Sequence, residues 1–279
     1  MSAYRFCRTD DIELLVGALN RCWTPYFPDE PPMDAAAFKR SIRDLQVWCS
    51  SCMVAFSGAD PIGVLIGAKR ASATLVHKIA VHPDHVRQGH GRHLLASLSS
   101  KLAILGPPRI VAEVPETLSP ARALFRASGY VEEAVLTDYV WESQGGLAPV
   151  STGGMVIPVT VGDLAANGLL GEAYPVTCWE RSVETLTARK DDIEGLAVAS
   201  QEHIEACILY IKDGAEILSL RSFVDDGGAR RRQLLSQLGP GTFRFPKVHP
   251  AEISPELLET PGFRPGGRYR LYAAKARSD

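Results

Sequence analysis

The clearest hydrophobic pattern in the chain is a short apolar strand followed by a polar turn and an amphipathic helix. The strand pattern covers Thr74 to Val81, and the polar turn contains Gly89 and Gly91. The helix is indicated by leucines at helical spacing, namely Leu94, Leu95, Leu98, Leu102 and Leu105. Glycines let a backbone approach a ligand closely, and the first amides of a helix have no internal partner. This turn is therefore predicted to bind a phosphate group.

Strand and helix patterns alternate through the rest of the first half. Asp11 and Asp34 stand where they can cap two helices. The predicted strands cover residues 4–9, 53–56, 62–69, 110–116, 130–133 and 136–141, and the predicted helices cover 11–22, 34–47 and 119–128. This order predicts an α/β domain with a mixed sheet over residues 1–143.

The composition changes after residue 143 to QGGLAPVSTGG, which predicts a linker over residues 144–154. Strands are then predicted at 155–160, 193–199, 204–212, 215–224 and 268–275, with another through Lys247 and Val248. Helical patterns cover 161–190, 229–238 and 255–259. Because the two halves share this order, the second domain, residues 155–279, is predicted to repeat the plan of the first.

The order of strand, V-x-P, G-x-G-R and helix resembles the coenzyme A signature of the GNAT N-acetyltransferase family. The matching residues are Val81, Pro83, Gly89, Gly91, Arg92, Leu94 and Leu95, and Gly129-Tyr130 matches the G-F/Y after the family's next helix. The resemblance implies two GNAT-like acyl-CoA N-acyltransferase domains in tandem. It also implies that the turn grips the pyrophosphate of acetyl-CoA, while the strand before it pairs with the pantetheine arm.

Two other phosphate-binding motifs fit the turn less well. A nucleotide-hydrolysing P-loop ends in G-K-[ST], whereas Gly91 is followed by Arg92 and His93. A dinucleotide fingerprint needs a third glycine where Leu94 stands.

The resemblance assigns the donor contacts to the strand and the turn. Acetyl-CoA is expected as the acyl-donor substrate, held by Ile79, Val81, Arg87, Gln88, Gly89, His90, Gly91 and Arg92. Four histidines crowd the same region, namely His82, His85, His90 and His93. No acidic or thiol partner stands at matching spacing, so a phosphate-facing or solvated role is favoured over a metal site, and no metal is expected.

Acetyl transfer needs a neutral amine, and an alkyl amine with a pKa near 10.4 is protonated at neutral pH. The family often places a base on the strand before the turn, and His77 stands at one position used for it. Strand alternation predicts that His77 projects to the same side as Ile79 and Val81. Imidazole is a competent base at neutral pH, although a packed strand histidine without a catalytic part fits the pattern equally well.

The first half departs from the family pattern at three positions. Val86 stands where the turn usually begins with Arg or Gln, and Leu118 replaces a frequent Asn. Phe125 occupies the place of the tyrosine that usually protonates the leaving thiolate, and phenylalanine cannot donate a proton. Either Tyr130, Tyr139 or water is expected to serve instead, or coenzyme A leaves as the thiolate, or the site binds without turnover.

The second half departs further. Aligning Leu234-Leu235 with Leu94-Leu95 places Ala229 at Gly89 and Arg231 at Gly91, where side chains fill the pyrophosphate space. The second domain is therefore expected to have lost the donor. Its arginine run, residues 230–232, is expected to be a solvated helix start.

The acceptor pocket in this fold is usually walled by the first two helices and their loop. That loop offers three aromatic and three acidic residues, which suit an amine: Trp23, Tyr26, Phe27, Asp29, Glu30 and Asp34. An ordinary surface loop is the alternative interpretation. The expected partner is a small-molecule or peptide amine, which the sequence does not identify, and the chain is expected to be a monomer or homodimer.

Composition limits the other classes of function. The 279 residues are 46% hydrophobic with a net charge of −2, which gives no reason to expect nucleic acid or an anionic membrane as partner. There is no long apolar run and no apolar leader, so a cytoplasmic protein is expected. Six cysteines include one C-x-x-C pair, Cys49 and Cys52, which is interpreted as reduced thiols.

These observations predict an acetyl-CoA-dependent N-acetyltransferase that acts on a primary amine by direct transfer. The alternative is a non-catalytic protein that binds coenzyme A or a partner through a tandem GNAT fold.

Overall fold

The computed structural model of the chain describes residues 2–143, 153–171, 177–212 and 214–277. Two compact units emerge from the packing of the backbone. Unit 1 consists of Met1–Ala134 with Arg270–Asp279, and unit 2 of Val135–Tyr269. The sequence-based domains are consecutive segments, whereas in these units the last strand of the chain contributes to unit 1. The predicted linker lies outside the described residues except for its last two positions.

Unit 1 is a layered α/β structure on a mixed sheet. Its elements are β1 (Ser2–Phe6), α1 (Ile12–Trp23), α2 (Ala35–Leu45), β2 (Met53–Ser57), β3 (Asp60–Lys69), β4 (Thr74–Val81), α3 (His90–Leu105), β5 (Arg109–Pro115), α4 (Ser119–Ala127), the start of β6 (Val131–Ser143) and the end of β12 (Arg264–Lys275). The strand order is β1-β2-β3-β4-β5-β12. Neighbours from β1 to β4 are antiparallel, and β4 and β5 are parallel, which confirms the mixed sheet.

The apolar face of α3 forms the core of unit 1, as its leucine spacing predicts. Leu94, Leu95, Leu98 and Leu102 are all buried in one cluster with residues of the sheet, among them Leu65 and Val76. Leu105 is the exception, since it is 68% exposed at the last turn of the helix.

A β-bulge interrupts β4 at His77. Lys78 pairs with Ile66 of β3, but the next residue of β3, Gly67, pairs with Val76, so the register shifts at His77. As a result, Val76 and Ile79 both contact the α3 cluster, although regular alternation would send them to opposite faces. The parity argument that placed His77 beside Ile79 therefore does not hold at this position.

The parallel ladder between β4 and β5 is short. Its described pairs are Thr74 with Ile110 and Leu75 with Val111, although β4 continues to Val81 and β5 to Pro115. Beyond Leu75 the two strands therefore diverge, and a gap opens between them toward the turn.

Unit 2 repeats this plan. Its elements are the rest of β6, β7 (Met155–Pro158), α5 (Val161–Ala166), α6 (Val183–Ala188), β8 (Ile193–Ala199), β9 (Ile204–Ile211), β10 (Ile217–Ser222), α7 (Ala229–Leu235), β11 (Gly241–Val248), α8 (Pro255–Glu259) and the start of β12. One sheet has the order β10-β9-β8-β7, and β12, β6 and β11 form a second group of neighbours. The repetition of the first-half plan is confirmed.

Several predicted boundaries need correction. The two strands predicted at 130–133 and 136–141 are one strand, β6, and the predicted strand at Lys247 extends back to Gly241. The predicted helix over 229–238 is shorter, because α7 ends at Leu235. Its N-cap is Gly228, with φ 82°, which matches Gly89, with φ 87°, so Gly228 rather than Ala229 corresponds to Gly89.

Candidate active site

The turn between β4 and α3 has two residues in the left-handed region. Val86 is extended with φ −66° and ψ 160°, Arg87 has φ 61°, and Gly89 has φ 87° and ψ −4°. This backbone turns the chain from the end of β4 into the first turn of α3 within a few residues. A positive φ is costly for arginine, so the surrounding structure must hold Arg87 in this conformation.

Gly89 is the N-cap of α3, and the first amides of the helix lie directly behind it. The first intrahelical bond runs from the amide of His93 to the carbonyl of Gly89, at 3.0 Å. The amides of His90, Gly91 and Arg92 precede that bond and have no intrahelical acceptor. A Cβ atom at Gly89 would lie in open space, so the surface over the helix start is accessible. A phosphate group can bind the free amides at such a helix N-terminus without a charged side chain.

Gly91 has a different role from Gly89. A Cβ atom built at Gly91 would lie 3.1 Å from Cδ2 of Leu124 in α4. That distance is shorter than ordinary van der Waals contact, so the missing side chain lets α3 and α4 pack closely.

Some of the side chains predicted to bind the donor at the turn contact other parts of the protein instead. The guanidinium of Arg92 donates a 2.9 Å hydrogen bond to the carbonyl of Ala127, at the end of α4. Gln88 lies 3.5 Å from the carbonyl of Asp84 through its side-chain amide, and Arg87 is exposed. The backbone amides therefore remain the better phosphate ligands, with Arg87 as the available cation.

His90 is the first residue of α3, and its side chain is buried. Its Nδ1 lies 2.6 Å from the hydroxyl of Tyr4, and its Nε2 has no hydrogen-bond partner in the described residues. Burial, followed by the nearby His85 and His93, lowers the pKa of His90. The His90 ring is therefore a buried, neutral imidazole that packs beneath the turn. It is not a cation that faces a phosphate group.

The end of β4 carries Ile79 and Val81 beside the gap. Val81 pairs with Gly63 and Ile79 with Leu65, so the β3 side of β4 stays paired up to the turn. His77, at the bulge, is partly buried. These three predicted residues therefore lie along the same strand that borders the gap.

Tyr26, from the loop after α1, reaches the end of β4. Its hydroxyl donates a 2.7 Å hydrogen bond to the carbonyl of Val81, although the side chain is 45% exposed. Burial of the hydroxyl and, less strongly, Cys22 raise the pKa of Tyr26. Sequence reasoning named Tyr26 only as part of a pocket wall, and the sequence carried no signal for this contact.

The two tyrosines proposed from sequence as proton donors lie in apolar cores. Tyr130 packs edge-on against Phe125, with ring centroids 5.1 Å apart, and its hydroxyl is buried without a partner among the described residues. Burial strongly raises the pKa of Tyr130. Tyr139 belongs to unit 2, where it is buried with Trp141 and Phe245.

A small pocket with a volume of about 30 Å³, partly open to solvent, lies between α1, the following loop and β4. Trp23 and Phe27 stack with ring centroids 4.5 Å apart, and the indole of Trp23 donates a 2.9 Å hydrogen bond to Glu30. The loop side is fixed by Asn20, whose amide bonds both the carbonyl and the amide of Met33.

Of the acidic residues proposed from sequence for the acceptor pocket, only Glu30 lines it. Asp34 instead caps α2 by accepting the amide of Ala37, at 2.6 Å. The pocket also contains Lys78, which sequence reasoning missed. Its signal was a charged residue within the otherwise apolar strand TLVHKIAV.

In unit 2 the cleft that corresponds to the β4–β5 gap is filled by the protein itself. A parallel bridge joins Glu216, just before β10, to Arg244 in the middle of β11. Just beyond it the buried guanidinium of Arg181 donates to the carbonyls of Leu218 and Lys247, each at 3.3 Å. It also forms two hydrogen bonds with the buried carboxylate of Glu252, at 2.8 and 2.6 Å. This charge pair therefore links β10 to β11.

The six cysteines are buried free thiols. Burial raises the pKa of Cys7 to about 12 and that of Cys22 to about 11, and it also raises that of Cys52. None of these thiols is therefore activated as a nucleophile. Among the described helices, none is long and apolar enough to cross a bilayer.

Comparison with known proteins agrees with this geometry. Residues 13–130 match the sequence model of the acetyltransferase (GNAT) family. A tandem GNAT protein from the clavulanic acid biosynthesis pathway aligns over 100% of both chains, with 16% identity and a TM-score of 0.65.

Two further solved structures show the same fold. A GCN5-related N-acetyltransferase from Sphaerobacter thermophilus aligns with 14% identity and a TM-score of 0.67, over 99% of this chain and 96% of its own. Another from Anabaena variabilis aligns with 12% identity and a TM-score of 0.66, over 99% and 73%. At these identities the likeness shows a tandem GNAT fold.

Proposed function

We propose that unit 1, which contains the residues 13–130 that match the acetyltransferase (GNAT) family model, transfers an acetyl group from acetyl-CoA directly to a primary amine. The observation that carries this proposal is the left-handed Gly89 cap. It leaves the first amides of α3 without intrahelical acceptors, next to the gap between β4 and β5.

The turn and the gap match the two ends of the donor. The amides of His90, Gly91 and Arg92 suit a pyrophosphate, with Arg87 as a nearby cation. Beyond Leu75, no strand among the described residues pairs with β4 on its β5 side, so the backbone of β4 can pair with the amides of a pantetheine arm. Gln88 and Gly89 complete the turn, and Ile79 and Val81 border the gap.

His77 is proposed as the base that removes a proton from the acceptor amine. The register of β4 on β3 shifts at His77, at the middle of the strand beside the gap. Bulges often redirect a side chain near an active site. Val81 is proposed to supply the backbone amide that stabilises the oxyanion of the tetrahedral intermediate.

For the leaving thiolate, the contact between Tyr26 and Val81 supports Tyr26 as the hydrogen-bond donor, in addition to the earlier candidates Tyr130 and Tyr139. The hydroxyl of Tyr26 already lies at the end of β4, and its single proton would turn from the carbonyl of Val81 to the thiolate as the thiolate forms. A free thiol has a pKa near 8.5, so its thiolate is a stable leaving group near neutral pH. A hydrogen bond is then sufficient to stabilise the thiolate, and tyrosine need not transfer its proton completely.

Direct transfer is favoured over a covalent acyl-enzyme because all six cysteines are buried, and burial raises the pKa of the four in unit 1, namely Cys7, Cys22, Cys49 and Cys52, which makes them weak nucleophiles. The acceptor is proposed to be a small-molecule or peptide amine that enters through the pocket lined by Trp23, Phe27 and Glu30. Six reduced thiols also suit a cytoplasmic location.

Isothermal titration with acetyl-CoA, followed by a thiol-release assay over a panel of amines, tests the proposal. Donor binding together with thiol release is the expected result, and His77→Gln should lower kcat and flatten the acidic limb of the pH–rate curve. Binding without release for any amine would instead favour a non-catalytic CoA-binding protein, for which Phe125 in place of tyrosine is the supporting observation.

A further inference from the structure

Unit 2 contains a cavity that is larger than the acceptor pocket of unit 1. Its volume is about 190 Å³, against about 30 Å³ for that pocket, and it is partly open to solvent. One water molecule needs about 10–15 Å³ of such space, so the cavity has room for a small organic molecule. The lining residues come from the end of β6 and from the segment that joins α8 to β12: Val140, Trp141, Glu142, Pro261, Gly262 and Arg264.

The two segments that line this cavity are fixed to each other through Trp141. The ring is buried, and its Nε1 donates a 3.0 Å hydrogen bond to the carbonyl of Pro261. The same ring stacks on Phe263, with centroids 5.6 Å apart and an angle of 20° between the planes. The lining is therefore organised before a ligand binds, which lowers the entropic cost of binding.

Gly262 leaves space beside the indole of Trp141. Its φ of 100° lies in the left-handed region, which favours glycine. A Cβ atom at this position would lie 3.9 Å from Cδ1 of Trp141, at ordinary contact distance. A side chain here would therefore start against the indole and take up part of the cavity.

Two opposite charges line the cavity without pairing. Arg264 and Glu142 are both exposed, and within the described part of the chain neither side chain forms an ion pair or a hydrogen bond. By contrast, Arg244 of the neighbouring strand β11 pairs with Asp138 of β6 at 2.9 Å. The N–H donors of Arg264 and the carboxylate oxygens of Glu142 are therefore both available to a ligand.

We infer that this cavity binds a small zwitterion, an amino acid, whose carboxylate pairs with Arg264 and whose ammonium group pairs with Glu142. A guanidinium group binds a carboxylate through two parallel hydrogen bonds, and an ammonium group bound to a carboxylate gains a similar charge-assisted bond. A molecule with a single charge would satisfy one of the two side chains and leave the other without a partner. Val140 and Pro261 provide apolar contacts for the carbon chain of the ligand.

The inference does not depend on the proposed function of unit 1. All six lining residues belong to unit 2, and none of them takes part in the turn, the gap or the acceptor pocket of unit 1. Binding can therefore be measured without acetyl-CoA and without turnover.

Isothermal titration of the full chain tests the inference with amino acids that differ in the separation of their charges, namely leucine, 4-aminobutyrate and 6-aminohexanoate. Each is compared with its amide, which lacks the carboxylate, and with its N-acetyl derivative, which lacks the ammonium group. We expect at least one amino acid to bind about tenfold more tightly than both of its derivatives, as for the loss of a hydrogen bond to a charged group. Arg264→Gln and Glu142→Gln should each weaken its binding about tenfold for the same reason.

Arg268→Gln and Glu202→Gln are the matched controls. Both residues are exposed in unit 2, and neither lines the cavity. Each control changes the net charge as its test variant does and should leave the affinity unchanged. Because Arg264 and Glu142 are exposed, the two test variants should keep the wild-type midpoint of urea denaturation.

The inference is overturned if no amino acid of the panel binds, if an amide or N-acetyl derivative binds as tightly as its parent, or if the affinity survives the loss of either Arg264 or Glu142. An equal loss of affinity in the control variants would also overturn it, because net charge rather than the cavity would then hold the ligand. Binding that requires both side chains, together with no thiol release for any amine, supports this site and contradicts the proposed function of unit 1 alone.

Discussion

The hydroxyl of Tyr4 lies 2.6 Å from Nδ1 of His90, directly beneath the turn that is proposed to hold pyrophosphate. Tyr4 belongs to β1 and His90 to the first turn of α3, so this contact ties the start of the sheet to the start of the helix. Because His90 has no partner for Nε2 among the described residues, the ring is stable in this place only while it is neutral.

This relationship predicts how stability changes with pH. The pKa of His90 is lowered in the folded protein, so the unfolded chain binds the proton more readily between that lowered pKa and about 6.5. The free energy of unfolding should therefore fall as the pH decreases through this window. In His90→Leu this decrease in the free energy of unfolding should disappear. Urea denaturation at pH 7.5 and at pH 5.5 measures it in both proteins.

His203→Gln is the control for the pH experiment, since His203 is exposed in unit 2 and should leave the wild-type pH dependence unchanged. Tyr4→Phe should cost about 1 kcal/mol at neutral pH through the lost hydrogen bond. An equal loss of stability between the two pH values in wild type and His90→Leu would contradict the assignment.

The two glycines of the turn should respond differently to substitution. Gly89→Glu places a side chain and a negative charge over the helix start in a left-handed conformation, so acetyl-CoA binding should be abolished while the fold is retained. Gly91→Ala should instead lower the free energy of unfolding by about 1–2 kcal/mol, because its Cβ meets Leu124.

Titration calorimetry and urea denaturation on both variants check this contrast. Leu124→Ala in the Gly91→Ala background removes the contact and should produce a favourable coupling of at least about 0.5 kcal/mol. Wild-type donor affinity in Gly89→Glu would refute the phosphate assignment of the turn.

Local patterns were sufficient to predict most of the architecture. The leucine spacing of α3 and the glycine turn before it depend on residues close in sequence, and the structure confirms the mixed sheet and the repeated plan. The sequence pattern predicts two strands where the structure has the single strand β6, because its sequence, VEEAVLTDYVWES, lacks a continuous alternating pattern. Its register is set by β11, which is distant in sequence.

The candidate site was less predictable because its details depend on contacts between distant segments. The bulge at His77 follows from pairing with β3, and alternation alone cannot show it. The bond from Tyr26 to Val81 and the placement of Lys78 against Trp23 also join residues more than fifty positions apart. The spacing of residues along the sequence therefore does not predict either contact.

Two tyrosine variants distinguish the candidates for the thiolate. Tyr26→Phe should lower kcat about tenfold or more, since its hydroxyl lies at the end of β4, with a smaller effect on the KM for acetyl-CoA. Tyr130→Phe should change kcat by less than about twofold and leave stability equal or higher, because the buried hydroxyl has no partner in the described residues. Steady-state thiol release measures both, and the reverse order of effects would restore Tyr130 as the donor.

The pair of Arg181 and Glu252 predicts one donor site per chain. Because the guanidinium bonds carbonyls of both β10 and β11, we expect unit 2 to have no space for a pantetheine arm. Titration with acetyl-CoA should therefore give a stoichiometry of one, and Gly89→Glu should reduce it to zero. Glu252→Ala would leave the buried Arg181 without its counter-charge and should cost about 3–5 kcal/mol, whereas Arg21→Gln, which breaks an exposed pair with Asp60, should cost less than about 1 kcal/mol. A second binding event that persists in Gly89→Glu would show instead that unit 2 admits the donor and that Arg181 moves aside.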